Sequence, residues 1–157
     1  MKDITISGSK YNYYVASIAN STYDNTIINI VSTNIVMENI NTNGTYLYGI
    51  ANTTCSYSTI ALTSSSLTMK NITSNYTYGI ANTTGYNLGY SDILLSNTTI
   101  DIEDIDSEYF YGTINISYPD SSLTLYQSNI TMTNISANTI NCGDSYAELI
   151  ESNIQCP

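Results

Sequence analysis

One seven-residue phrase occurs twice without change, and it constrains the fold more than any other feature of the chain. Tyr48-Gly49-Ile50-Ala51-Asn52-Thr53-Thr54 returns as Tyr78-Gly79-Ile80-Ala81-Asn82-Thr83-Thr84. Looser copies are Ala16-Ser17-Ile18-Ala19-Asn20 and Tyr111-Gly112-Thr113-Ile114-Asn115. A second phrase, Ile-x-Leu followed by Leu-x-Met-x-Asn-Ile, runs Ile60, Leu62, Leu67, Met69, Asn71, Ile72. Its copies begin at Ile28, Ile93 and Leu123, and partial copies lie at Ile4 with Ile6 and at Ala147, Leu149, Ile154 and Cys156. The period is roughly 24 to 33 residues, in the range of repeat architectures.

Within each phrase the apolar residues alternate, which is the signature of a strand with one buried face. Ile, Thr and Tyr favour strands, and the helix formers are scarce. Strands are expected near 26–31, 34–40 and 45–52, with equivalents in later copies and turn clusters of Asn, Ser, Thr and Gly between them. One repeat cannot bury its apolar face alone, but stacked copies can, by placing Ile35 over Leu67, Ile100 and Ile130. The expected fold is all-β: a single-stranded parallel β-helix, or β-solenoid, over residues 1–157, with about five coils of three short strands each. A β-sandwich explains the alternation but not why the same residues return at the same slots.

Asparagine supplies a second stacking device, because its amide both donates and accepts. Asn20, Asn52, Asn82 and Asn115 form one expected ladder; Asn39, Asn71, Asp104 and Asn134 form another, and both are expected to be buried. These aliphatic columns and asparagine ladders resemble the right-handed parallel β-helix of pectin-lyase-like proteins, and the repeats are similar to those of bacterial and protist surface proteins, adhesin passengers and phage tail fibres. The Gly-Gly-Ala-Ile signature of polymorphic outer-membrane adhesins is absent. The resemblance covers nearly the whole chain and is one of architecture.

Charge excludes several partners. Among 157 residues the net charge is −10, with no His or Trp and only Lys2, Lys10 and Lys70 as cations. Nucleic-acid binding needs Lys and Arg against phosphates, and anionic membranes need the same. No run reaches the ~18 apolar residues of a membrane helix. Without His, the abundant Ser, Thr and Cys have no ordinary activating base. The acidic run offers Asp101, Glu103 and Asp106 as a weak metal candidate, but it lacks the Gly and spacing of a calcium loop, and a solvated acidic face is the plainer reading. No cofactor is expected. Lyases of the β-helix type that the chain resembles use a strong base, whereas Asp101 and Glu103 have no cation near them in sequence, so no catalytic residue is assigned.

Three further features bear on function. Cys142 and Cys156 are candidates for a disulfide near the C-terminal end, in an oxidising compartment. Asn-x-Ser/Thr sequons are frequent; with the ladder asparagines set aside, Asn43, Asn75 and Asn97 are the glycosylation candidates. Tyr46, Tyr76 and Tyr109 align, as do Tyr48, Tyr78 and Tyr111. On one parity Tyr and Ile50, Ile80 face inward; on the other Leu47, Gly49 and Ala51 do. Buried tyrosine is the expectation adopted, while an exposed row would be a stacking platform for sugar rings or a packing surface for another chain. The function expected is an extracellular or cell-surface structural and adhesive solenoid rather than an enzyme, with surface glycans or end-to-end copies of itself as partners. Strand-like first and last segments suggest a segment of a longer fibre or a filament-forming subunit. A polysaccharide-binding or polysaccharide-degrading β-helix protein, and a viral fibre segment, are the alternatives.

Overall fold

A computed structural model describes residues 5–6, 13–20, 26–42, 45–54, 58–84, 91–116, 122–143 and 147–157. The strands in chain order are β1 (Thr5–Ile6), β2 (Tyr13–Asn20), β3 (Thr26–Val31), β4 (Asn34–Thr42), β5 (Thr45–Thr54), β6 (Ser58–Thr63), β7 (Ser66–Thr84), β8 (Ser91–Ser96), β9 (Thr99–Ile116), β10 (Ser122–Tyr126), β11 (Asn129–Asn141), β12 (Ala147–Ile150) and β13 (Asn153–Gln155). Every pairing between them is parallel. The described residues contain no helix, and the chain is a parallel β-solenoid.

The first face is the sheet β3-β6-β8-β10-β12. The second is formed by β4 and the leading parts of β7, β9 and β11, flanked by β1 and β13. The third is formed by β2, β5 and the trailing parts of β7, β9 and β11. Expected columns are present in register: Ile35, Leu67, Ile100, Ile130 and Ile154 lie over one another. So do Ile28, Ile60, Ile93, Leu123 and Ala147. These columns meet in one core, in which Leu67, Ile60, Ile93 and Met69 are fully buried.

Among the described residues, windings complete on all three faces number about three, spanning 26–54, 58–84 and 91–116, rather than five. The outer copies, among the described residues, carry strands for only part of a turn. Among the described residues β1 pairs through two residues, and in the winding that starts at β10 the third-face pairing ends at Asn141. An apolar phrase is therefore not equivalent to a closed turn.

Two columns of left-handed backbone make the corners. Ser32, Ser64, Asn97, Gln127 and Glu151 have φ between 47° and 51°, and Asn39, Asn71, Asp104 and Asn134 have φ between 52° and 55°. The second column revises the expectation of a buried ladder. Its asparagines are exposed and Asp104 is half-buried. The amides still link windings, since Asn71 Nδ2 donates to Asn39 Oδ1 at 3.0 Å and Asn134 Nδ2 to Asp104 Oδ1 at 3.1 Å. Asn and Asp recur here because they tolerate the left-handed region better than other residues with a Cβ. Asn71→Ala is expected to lower stability by about 1 kcal/mol in urea melts. Asn71→Gly, which is free of the φ penalty, should retain most of it.

The other column is internal at its three described side chains. Asn20, Asn52 and Asn82 are buried. Asn52 accepts from Ser58 Oγ at 3.1 Å, Asn82 accepts from Ser91 Oγ at 2.8 Å, and Asn20 accepts from Thr26 Oγ1 at 2.9 Å. Each thus ties the end of one winding to the start of the next. Asn115 is in register with Asn82; its side chain lies outside the described residues.

Candidate functional site: a tyrosine ladder beside an acidic depression

The third face decides the parity of the tyrosines. Leu47, Thr77 and Phe110 are fully buried, and Gly49, Gly79 and Gly112 point the same way. A Cβ on Gly49 would lie 2.6 Å from Met69 Sδ, one on Gly79 2.5 Å from Ile102 Cδ1, and one on Gly112 2.2 Å from Met132 Cε. The second and third faces approach so closely at this slot that no side chain fits. The tyrosines on either side of Leu47, Thr77 and Phe110 consequently project outward, which reverses the expectation of buried tyrosine. Ile50, Ala51 and Asn52 are all buried because strict alternation ends at the corner that follows.

Outside, the rings form two columns. Tyr46 stacks on Tyr76 at 4.6 Å between centroids and Tyr76 on Tyr109 at 4.9 Å. Tyr48 stacks on Tyr78 at 4.8 Å and Tyr78 on Tyr111 at 5.0 Å. Interplanar angles within these columns do not exceed 15°. The spacing is that of adjacent strands, so the register imposes it. Ring–ring contact half-buries each tyrosine and leaves the outer edges in solvent. Partial burial raises the Tyr76 phenol above its ordinary pKa, with Tyr46, Tyr109 and Glu108 adding to the effect. The Tyr76 hydroxyl is therefore neutral at physiological pH.

Next to the ladder lies an open depression of about 360 Å³, lined by Thr73, Ser74, Asp106, Ser107, Glu108, Ser136, Ala137 and Asn138. Three windings contribute one segment each: 73–74, 106–108 and 136–138. The ladder begins just beyond, at Tyr76 and Tyr109. Ser107 Oγ donates to the Tyr109 carbonyl at 2.7 Å, and Ser74 Oγ lies 2.6 Å from Thr77 Oγ1, so hydroxyls fix the junction. Asn75 Nδ2 donates to Glu108 Oε2 at 3.4 Å. Sequence reasoning missed this site. The signal was present, since Thr73-Ser74-Asn75, Asp106-Ser107-Glu108 and Ser136-Ala137-Asn138 are, Ala137 apart, polar at one shared slot.

Asp101 and Glu103 lie elsewhere, on the second face. Register sets Lys70 beside Glu103, and Lys70 Nζ is 2.9 Å from Glu103 Oε2 and 3.9 Å from Asp104 Oδ2. Glu103 thus has a cation against it, contrary to the sequence reading; residues separated by a whole winding become neighbours. The hydrogen bond and charge of Glu103 raise the Lys70 pKa. Asp106 follows the corner at Asp104, so Asp101, Glu103 and Asp106 do not converge. The described residues contain no group of three or more His, Cys, Asp or Glu able to hold a metal ion.

No family model, curated protein or solved structure matches the chain. The assignment to the parallel β-solenoids rests on strand register. Among the described residues no helix is long and apolar enough to cross a membrane.

Of the glycosylation candidates, Asn97 is an exposed corner residue, Asn75 is half-buried against Glu108, and Asn43 lies outside the described residues. Sequon residues Asn71 and Asn134, set aside as buried, are at the surface.

Proposed function

We propose that the chain is a stiff extracellular or cell-surface module that adheres to glycans along its tyrosine ladder, through the exposed ring edges and hydroxyls. The observation that carries this is the pair of stacked columns, Tyr46-Tyr76-Tyr109 and Tyr48-Tyr78-Tyr111, on one sheet face. Aromatic rings with polar tips suit ligands that present both apolar C–H faces and hydroxyls. The strand register holds the rings in place before any ligand arrives, so little ordering entropy is lost on binding. The net charge of −10, together with Asp106 and Glu108 beside the ladder, disfavours uronic acids and sulfated sugars and leaves neutral or amino sugars as the ligand class. Surface sequons at Asn71, Asn97 and Asn134 are compatible with export.

A glycan array tests this reading. Retention of neutral or amino-sugar polymers is expected, with a loss of roughly 10- to 100-fold in affinity for Tyr76→Ala/Tyr109→Ala, because two of the ring edges and hydroxyls that would touch the sugar disappear. An array without signal, or binding indifferent to both substitutions, removes the proposal. Carboxylates in the depression favour one second reading, polysaccharide cleavage. Reducing ends released from a bound polymer, and lost in Glu108→Gln, would put that reading first. If instead the ladder is a packing surface between copies of the chain, light scattering will show concentration-dependent assembly that the double tyrosine variant abolishes.

A further inference from the structure

The glycine column of the third face ends in a cysteine. Asn141 is in register with Tyr111, so the next residue, Cys142, takes the slot of Gly49, Gly79 and Gly112 in the following winding. The Cys142 carbonyl lies 2.5 Å from where a Cβ on Gly112 would stand, which places it directly beyond that glycine. The facing column ends in a cysteine as well. Gln155 is in register with Thr131, so Cys156 takes the slot of Met37, Met69, Ile102 and Met132.

The same cross-face contact repeats up the stack. Gly49 meets Met69, Gly79 meets Ile102, and Gly112 meets Met132, each glycine facing the long side chain of the next winding. One step further, the rule pairs Cys142 with Cys156. Here the glycine slot has gained a side chain and the methionine slot has lost most of one. The two thiols share a hydrogen bond, and both are reduced in this structure. Cys142 packs against the core, whereas Cys156 is exposed.

We infer that Cys142 and Cys156 are a built redox pair, and that a disulfide between them clasps together the windings that start at β10 and at β12. Disulfide exchange with a small-molecule disulfide such as oxidised glutathione forms it. The Cys156 thiolate attacks one sulfur of the oxidant, makes a mixed disulfide and releases one glutathione thiolate. Cys142 gives its proton to solvent and attacks the Cys156 sulfur, and the second glutathione leaves. Two protein thiols become one disulfide, and one glutathione disulfide becomes two glutathiones. Burial, assisted by the hydrogen bond that the Cys142 thiol donates to Cys156, pushes the Cys142 thiol up to about 11, so the exposed Cys156 opens the sequence. The clasp joins the trailing end of β11 to the residue after β13, where the stack holds only partial windings.

The test uses the full chain carrying Cys55→Ser, equilibrated in mixed reduced and oxidised glutathione, quenched with an alkylating agent and read by mass spectrometry. The expected product lacks two hydrogens, carries no alkyl group and yields a peptide linking positions 142 and 156. Its thermal midpoint should rise by roughly 5–10 °C over the reduced protein. Persistent glutathione adducts on both cysteines, or a disulfide that lowers the midpoint, would overturn the inference. The steric argument is tested separately without oxidant. Cys156→Met alone should lower the midpoint by clashing with Cys142, and adding Cys142→Gly should restore it. A single variant as stable as the parent would show that the two slots do not face each other.

Discussion

Phe110→Ala is expected to lower the unfolding free energy by about 3–5 kcal/mol, a third or more of what a domain of this size ordinarily has. Phe110 is fully buried and is the largest side chain in its column. Its register neighbours are Thr77 and Ile140. Thr77 is too short to fill the vacated space and is held through the Ser74 hydroxyl, while Ile140 is exposed. The cavity therefore persists, and a persistent cavity gives the high end of such losses. Urea unfolding followed by tyrosine fluorescence should show a lower midpoint with an unchanged slope. Leu94→Ala, on the outward side of β8, should change stability by less than about 0.5 kcal/mol. Equal effects of the two substitutions would mean that the inward and outward assignments are wrong.

Asn82→Asp is expected to be as damaging at neutral pH and to heal on acidification. The Asn82 amide is fully buried and donates to the carbonyls of Ser91 at 2.7 Å and Ser122 at 3.0 Å. A carboxylate has nearly the same shape but would set an uncompensated charge against two acceptors. Removing the compensation of a buried charge costs roughly 3–5 kcal/mol. A protonated carboxyl still offers one donor, so the folded state holds the proton and raises the pKa of the new group above its unfolded value of about 3.9. The sign follows from proton binding. Between the unfolded and folded pKa values the native state binds more protons than the unfolded chain, so stability falls as pH rises. Below both values the penalty is absent. Relative to the parent, the variant should lose up to about 1.4 kcal/mol per pH unit through this window and then level off. Asn82→Ala loses the same bonds without gaining a charge and should show an offset that does not depend on pH. Parallel pH profiles for Asn82→Asp and the parent would place residue 82 in solvent and refute the internal ladder.

Much of the fold was legible because a parallel solenoid maps sequence period directly onto space. Ile35, Leu67, Ile100 and Ile130 recur at one slot and do lie in one column. The readings that failed depended on contacts perpendicular to that period. Alternation around Tyr48-Gly49-Ile50 fits either face, and only the approach of Gly49 to Met69 on another face settles it. Asn39 and Asn71 were read as buried because recurring amides suggest a ladder, yet recurrence at a left-handed corner has a backbone cause. Lys70 and Glu103 are far apart along the chain and adjacent across windings. The candidate site shows the same division. Its tyrosines were visible as aligned residues, whereas the depression required three short polar segments to be read as one surface.

Vertical stacking of parallel windings is the claim on which the rest depends, and nuclear Overhauser contacts from the Leu67 backbone test it most directly. Leu67 should show cross-strand contacts to the Ile35 winding on one side and to the Ile100 winding on the other, in the staggered amide pattern of parallel strands. Close α-proton to α-proton contacts, which mark antiparallel pairing, or the absence of contacts to both windings, would contradict the solenoid and the tyrosine ladder with it.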